Sequence, residues 1–255
     1  MKYRHWLICM LILLSALETA AQDFVTRAKI EFEKKINMRR SLARQNIPQQ
    51  TKEMFPEFLV SYYDLIFTEG ASIYKAGRDN DAANQPVRQM FSQSKSKNIY
   101  YTNFATRQVV VKKEIMQEDF LFEDSIPPIK WKIGQEIRKI AGYECRKAIG
   151  RIFDSVYLVA FYAEELVAKG GPEGIQGLPG TILGLAIPRY NITWFATKVE
   201  LADIDETVIV PPTIKGKKST GEETRTRLLK LFSKTDAKDP AAIANGYLKY
   251  KYFLN

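Results

Sequence analysis

Asp119, Glu123, Asp124, Glu144, Glu164, Glu165 and Glu173 are carboxylates available for chemistry in this 255-residue chain, and Cys145 is its one thiol beyond residue 22. A carboxylate pair facing one cleft can divide the work of general acid and general base. A cysteine becomes a nucleophile when neighbouring cations hold it as thiolate, and Arg146 and Lys147 flank Cys145. In an alternating strand, however, Cys145 and Lys147 share a face while Arg146 lies on the other. The alternative is a buried small hydrophobe. Glu164 and Glu165 are adjacent at what reads as a strand end, so they point to opposite sides of the sheet. Spacing alone brings none of the seven carboxylates together.

The residues that are missing exclude more. The sole histidine, His5, lies in the first 22 residues. Those residues read as a signal peptide: Lys2 and Arg4 form a basic head, Trp6 to Leu17 is apolar apart from Ser15, and Thr19-Ala20-Ala21 supplies the small residues of a cleavage site before Gln22. A dozen apolar residues fall short of the roughly 20 that a membrane span needs, and no later segment approaches that length. Cys9 sits inside the apolar run rather than after it, where a lipid-acceptor cysteine would stand. The expectation is therefore an exported protein, periplasmic or secreted and surface-associated, whose residues 23–255 form one domain. Such a mature chain has no imidazole for a Ser-His-Asp or Cys-His arrangement or a histidine-ligated zinc, and no internal disulfide. No metal or cofactor is implied.

The net charge of +9 falls by one when the leader is removed. Its lysines and arginines are spread through "KKINMRR", "VVVKKE", "IKGKK" and "LKYKYF", each diluted by acidic or apolar residues, so they read as a solvated surface and no nucleic-acid partner is expected.

Organisation is mostly strand-like. In "DFVTRAKIEFEKKI", Phe24, Thr26, Ala28, Ile30 and Phe32 alternate with Val25, Arg27, Lys29, Glu31 and Glu33, the period-2 pattern of a half-buried strand. Further strands are expected in "FLVSYYDLIFTEG" and "ASIYKAG", closed by Gly70 and Gly77, and in "IYYTNF", "RQVVVKKEIM", "DFLFED", "IKWKIG", "ECRKAIGRIF", "VYLVAFYA", "TILGLAI", "NITWFATKVEL" and "TVIVPP". Residues 39–54 read as a short helix or loop, residues 78–98 as an exposed polar loop, and residues 221–233 as a helix with Glu222 and Glu223 in its first turn and Leu228, Leu229, Leu231 and Phe232 on one face.

The stretch "GGPEGIQGLPGTILGL", residues 170–185, packs five glycines and two prolines into its first eleven residues. Three Gly-X-Y triplets are too few for collagen. No Gly-Lys-Ser/Thr follows to make a Walker loop, and "GKKST" at 216–220 has an extra lysine and no earlier glycine. A structural turn remains: Leu178-Pro179-Gly180-Thr181 places proline second and glycine third, as a type II turn requires, with Gly180 at positive φ.

The order "IKWKI", "IAGYECRKA", "LVAFYAEEL", "GGP" and "GLPGTILGL" resembles the GLPGLI family of exported envelope proteins, over essentially the whole mature chain and most specifically from Trp131 to Leu185. Two departures are the step Thr181-Ile182-Leu183 after the motif and Phe161-Tyr162 where the family has Trp-Tyr. The resemblance implies no established activity; it implies a Gram-negative envelope containing outer-membrane receptors. Trp131, Cys145, Tyr162, Pro172, Gly177, Leu178, Pro179 and Gly180 are the motif residues and the candidates for partner contact. The expected fold is mainly β: a single strongly curved antiparallel sheet, a half-barrel like that of lipoprotein carriers, with one or two helices over its concave side. Three functions stay open: a noncatalytic envelope protein that binds a partner protein, such as an outer-membrane receptor, or an apolar ligand; an enzyme using Cys145 or a carboxylate pair; and a structural surface-assembly component.

Overall fold

The structure, a computed structural model, describes residues 24–43, 46–80, 97–125, 128–152, 156–214, 221–235, 239–241 and 243–244. The expected signal peptide and most of the expected polar loop lie outside these residues. Eleven strands are present: β1 (Ala28–Asn37), β2 (Phe58–Phe67), β3 (Ala71–Ala76), β4 (Ile99–Asn103), β5 (Gln108–Ile115), β6 (Glu118–Ser125), β7 (Lys130–Ile140), β8 (Tyr143–Ile152), β9 (Val156–Ala163), β10 (Thr181–Ile187) and β11 (Ile192–Glu200). They form one antiparallel sheet in the order β6-β5-β4-β3-β2-β1-β11-β10-β9-β8-β7. Two meanders, β1 to β6 and β7 to β11, are thus joined where β1 pairs with β11, Glu33 opposite Phe195.

Alternation explains which face is buried. Ala28, Ile30 and Phe32 of β1 are wholly enclosed, as are Tyr63, Leu65 and Phe67 of β2, while Lys29, Glu31 and Glu33 face the other way. Cross-strand pairing carries this face onward through Tyr74 and Tyr100, then Val111 and Phe122. On the other side of β1 it continues through Trp194, Leu185, Ala160 and Ala148.

Among the described residues three helices accompany the sheet, α1 (Met38–Ala43), α2 (Gln49–Glu53) and α3 (Gly221–Phe232), against the one or two expected. α3 buries Leu228, Leu231 and Phe232, and its Arg227 guanidinium lies 4.4 Å from the Phe120 ring, so it packs against β6 on the core side.

Two expectations are corrected. "TVIVPP" is not a strand: Glu206–Val208 form a 3-10 turn. Its β-branched residues suit a sheet, but β1 and β10 already occupy both sides of β11, and no free edge lies beside it. β7 does not stop at Gly134 but runs to Ile140, because a register shift between Ile133 and Ile137 absorbs the glycine as a bulge.

Candidate functional site

The connection from β9 to β10, residues 164–180, lies on the core face instead of looping into solvent. Its backbone is tied at both ends: Thr181 N donates to Leu166 O at 3.1 Å, Ile182 N to Gly170 O at 2.9 Å, and Thr181 Oγ1 to Ala168 O at 2.6 Å. Val167 N also donates to Val25 O, which fastens the segment ahead of β1 to this connection. Between those ties Pro172 opens a 3-10 turn, and Glu173 adopts a left-handed conformation at φ 54°.

Glu173 is 2% exposed. Its Oε1 accepts from Lys34 Nζ at 2.9 Å and its Oε2 from Tyr100 Oη at 2.8 Å. Lys34 belongs to β1, where the core-facing alternation of Ala28, Ile30 and Phe32 carries its side chain inward, over the rings of Trp194 and Tyr63 at 5.0 and 5.6 Å. Lys113, core-facing on β5 and 2% exposed, lies with its ammonium 6.0 Å from the Tyr100 ring.

Burial pushes the Glu173 carboxyl up, but Lys34, the Tyr100 hydroxyl and Lys113 together bring it below its ordinary value. Burial and then Lys34 push the Lys113 ammonium down, to about 8, against the opposing pull of Glu173. Burial and the Glu173 charge raise the hydroxyls of Tyr74 and Tyr100 well above the usual phenol value. Glu173 is thus an ionised carboxylate already engaged by two donors. That arrangement anchors a loop; it does not offer a base to a substrate.

The motif residues divide. Trp131 of β7 donates through Nε1 to Gln176 O at 3.0 Å and lies flat on Gly150, where a Cβ would come within 2.7 Å of the ring. A Cβ on Gly177 would come 3.4 Å from the same nitrogen, so Trp131 and the loop form one contact. Leu178 is in the core at 2% exposure, Gly177 and Pro179 are exposed, and Pro172 is buried. Tyr162 is buried and donates to Glu164 Oε1 at 3.2 Å.

The expected type II turn is not formed, because Gly180 does not have positive φ; in this segment Gly174 and Gly177 do. Gly180 is glycine for another reason: a Cβ there would stand 2.2 Å from Ala163 O and 2.9 Å from Glu164 Cα. The GLPG corner presses against the backbone at the end of β9, and no side chain fits between.

Cys145 is fully buried and donates to Tyr143 O at 3.5 Å. Burial pushes its thiol up to about 12, with Glu165 adding to the rise. Lys147 does not activate it: the ammonium is paired with Glu136. Of the seven carboxylates, Glu173 enters the core alone. Among the described residues, no group of three or more His, Cys, Asp or Glu could hold a metal ion, and no helix is long and apolar enough to cross a membrane.

Sequence reasoning missed Lys34, Tyr100, Lys113 and Tyr74 as partners of the glycine-rich stretch. The signal was present in β1, where a lysine occupies an inward position of an otherwise apolar alternation and so requires a buried carboxylate.

The face turned away from the core differs. Ile149 and Tyr157 are 42% and 58% exposed there. Pairing places Lys132, Ile149, Val159 and Ala186 in one cross-strand row and Arg151 opposite Tyr157 in the next, an apolar strip with cations beside it.

No family model matches the sequence, and no curated protein matches it. Among solved structures, two crystal forms of PNGF-II are similar at 16% identity, with TM-scores of 0.49 and 0.48. This chain spans about a third of their length: 76% of it aligns with 32% and 31% of those chains. An uncharacterised conserved protein from Thermus thermophilus is similar at 6% identity and a TM-score of 0.39, over 81% of this chain and 97% of that one.

Proposed function

We propose that this chain is an exported, noncatalytic envelope protein of the GLPGLI type, periplasmic or surface-associated, which binds a partner protein through the outward face of β8 and β9. The observation that carries this reading is the contrast between the two faces. Where the β9–β10 connection covers β3 and β4, it leaves a cavity of about 10 Å³ as measured at the centre of a water molecule, too small for an apolar ligand. The outward face leaves Ile149 and Tyr157 in solvent. The noncatalytic part is supported by the Cys145 thiol, which burial pushes up to about 12 and so keeps protonated at neutral pH. An outer-membrane receptor is the partner class that the GLPGLI resemblance suggests.

The proposal includes strong curvature of the sheet, as in a half-barrel. Edge strands β6 and β7 are consecutive in the chain, and the link from Ser125 to Lys130 reaches at most about 18 Å. Laid flat, an eleven-strand sheet would hold its edges roughly 48 Å apart. Such a half-barrel resembles a carrier in outline, but its interior is occupied by the chain's own loop.

The test is affinity capture from envelope membranes solubilised in mild detergent, using wild type and an Ile149→Ser/Tyr157→Ser variant. A stoichiometric envelope protein held by the first and lost by the second, at unchanged Tm, is expected. Equal retention by both would remove the outward face from the proposal. The absence of any partner, or recovery of the protein with the cytoplasm, would remove the function itself.

A further inference from the structure

The row Leu65, Tyr74, Tyr100 and the row Phe67, Ser72, Thr102 run side by side across β2, β3 and β4 on the core face. Over them lies the glycine-rich loop. Between sheet and loop is the small cavity, lined by Leu65, Ser72, Tyr74, Tyr100, Thr102 and Gln176 together with the backbone of three loop glycines. Two polar atoms of these lining residues, Tyr74 Oη and Gln176 Nε2, have no hydrogen-bond partner among the described residues, although both residues are at least 96% buried. Trp194 Nε1 is a third buried atom without one; it faces the Tyr74 hydroxyl closely enough to influence it but not in hydrogen-bonding geometry.

A buried amide or hydroxyl without a partner costs about 1–3 kcal/mol, and native interiors avoid leaving several in one place. Here two of the residues that carry them, Tyr74 and Gln176, line one cavity whose room matches one water, for which roughly 10–15 Å³ on this measure suffices. We propose that the cavity is a specific internal hydration site, in which a single water accepts from Gln176 Nε2 and from the Tyr74 hydroxyl and stitches the glycine-rich loop to β3.

The chemistry selects water over other small occupants. The Trp194 indole N–H beside the Tyr74 hydroxyl can only donate and lowers its pull on the proton, which leaves the Tyr74 O–H available as a donor to the cavity. Gln176 Nε2 can only donate. Two donors therefore converge, and the occupant must accept both. Its own protons then turn to the hydroxyl oxygens of Ser72 and Thr102, two residues that line the same cavity. A halide would leave those acceptors facing an anion; a methyl group would leave both donors unsatisfied.

The site also accounts for two sequence choices. Ser72 and Thr102 are small hydroxyl residues directly opposite each other in a core-facing row, where valine would otherwise pack. Gly170 and Gly171 bring the loop close to the sheet without side chains that would fill the space. The water completes a polar seam that begins at Glu173, so the loop is fixed to the first meander by an ion pair at one point and by a hydrated contact at the next.

A crystal structure at high resolution tests this. The expected result is a fully occupied peak within about 2.6–3.2 Å of Tyr74 Oη and Gln176 Nε2. A cavity without density, or an anomalous peak there after bromide soaking, would overturn the proposal. The second arm is a double-mutant cycle with Tyr74→Phe and Gln176→Met. Tyr74→Phe should lower Tm by roughly 2–4 °C, since it removes one satisfied hydrogen bond. The two changes together should cost clearly less than their sum, because either one dismantles the same bridge. An unchanged or raised Tm for Tyr74→Phe would mean that the hydroxyl has no partner to lose, and strict additivity would mean that no shared water joins the two residues.

Discussion

The two ends of the glycine-rich connection are held down by different physics. The Pro172-Glu173-Gly174 end is fixed through side chains: a buried carboxylate reaches Lys34 and Tyr100 on strands 139 and 73 residues away in the chain. The Gly177-Leu178-Pro179-Gly180 end is fixed through backbone, Gly180 against Ala163 O, with Leu178 beneath as an apolar plug. The first kind of anchor depends on charge and so responds to protons and to removal of one partner. The second depends on the absence of a Cβ and is indifferent to pH. One loop thus contains a titratable anchor and a steric one, and each can be broken without touching the other.

Removal of the carboxylate should have the largest effect. Glu173→Ala leaves the Lys34 ammonium buried without its counter-charge and Tyr100 without its acceptor, a change that costs about 3–5 kcal/mol when one partner of a buried pair is lost. Glu173→Gln keeps the shape and the Tyr100 acceptor, and should fall between wild type and Glu173→Ala. Urea unfolding of the three proteins measures this; a Glu173→Ala protein as stable as wild type would mean that the ion pair anchors nothing.

Neither anchor is legible in the sequence in the way the strands are. β1 is plain because its alternation is local, and the helix at 221–232 because a capping turn and an apolar face lie within twelve residues. Glu173 is not, since a glutamate in a glycine-rich loop ordinarily faces water and its partners belong to strands far off in the chain. Lys34 is the missed hint, an inward position that reads as part of a charged run. Gly180 stands out as indispensable for the wrong reason: Pro-Gly suggests a type II turn locally, whereas the real constraint, Ala163 O, is a tertiary contact that spacing does not encode. The Cys145 thiol shows the same limit, because one of the cations flanking it in sequence is paired with Glu136, which leaves burial to set its chemistry.

The titratable anchor predicts a pH dependence that the steric one lacks. Lys113 releases its proton near pH 8 in the folded protein and near 10.5 when unfolded. Below pH 8 both states are protonated and the full cost of burying that charge is present. Between pH 8 and 10.5 the unfolded state binds a proton that the folded state has given up, so stability rises with pH, by about 3 kcal/mol over the whole interval. The Cys145 thiol opposes this from about pH 9, since burial keeps it protonated after the unfolded thiol ionises, and the buried hydroxyls of Tyr74 and Tyr100 do the same above pH 10. The comparison is therefore made at pH 8 to 9, where the urea midpoint of wild type should rise relative to that of Lys113→Met. A wild-type midpoint that falls through this window would remove Lys113 from the cluster.

The smallest effect belongs to the steric end and separates its two conspicuous residues. Gly180→Ala adds a methyl group where Ala163 O already stands, so the corner must lift from β9 at a cost near the upper end of about 1–3 kcal/mol. Pro179 is exposed, and Pro179→Ala gives up mainly the restriction that proline places on the unfolded chain, roughly 0.4–1 kcal/mol. Both costs should be the same at about pH 7 and about pH 9, because no titrating group takes part in the contact. Thermal melts of the two variants at both pH values distinguish this from a turn-based account. If Gly180 served a type II turn, Gly180→Asn would be tolerated, because asparagine accepts positive φ. The close approach to Ala163 predicts instead that Gly180→Asn is at least as damaging as Gly180→Ala, since both carry the Cβ that the corner excludes. A Gly180→Asn protein with near wild-type stability would restore the turn and leave the Ala163 contact incidental.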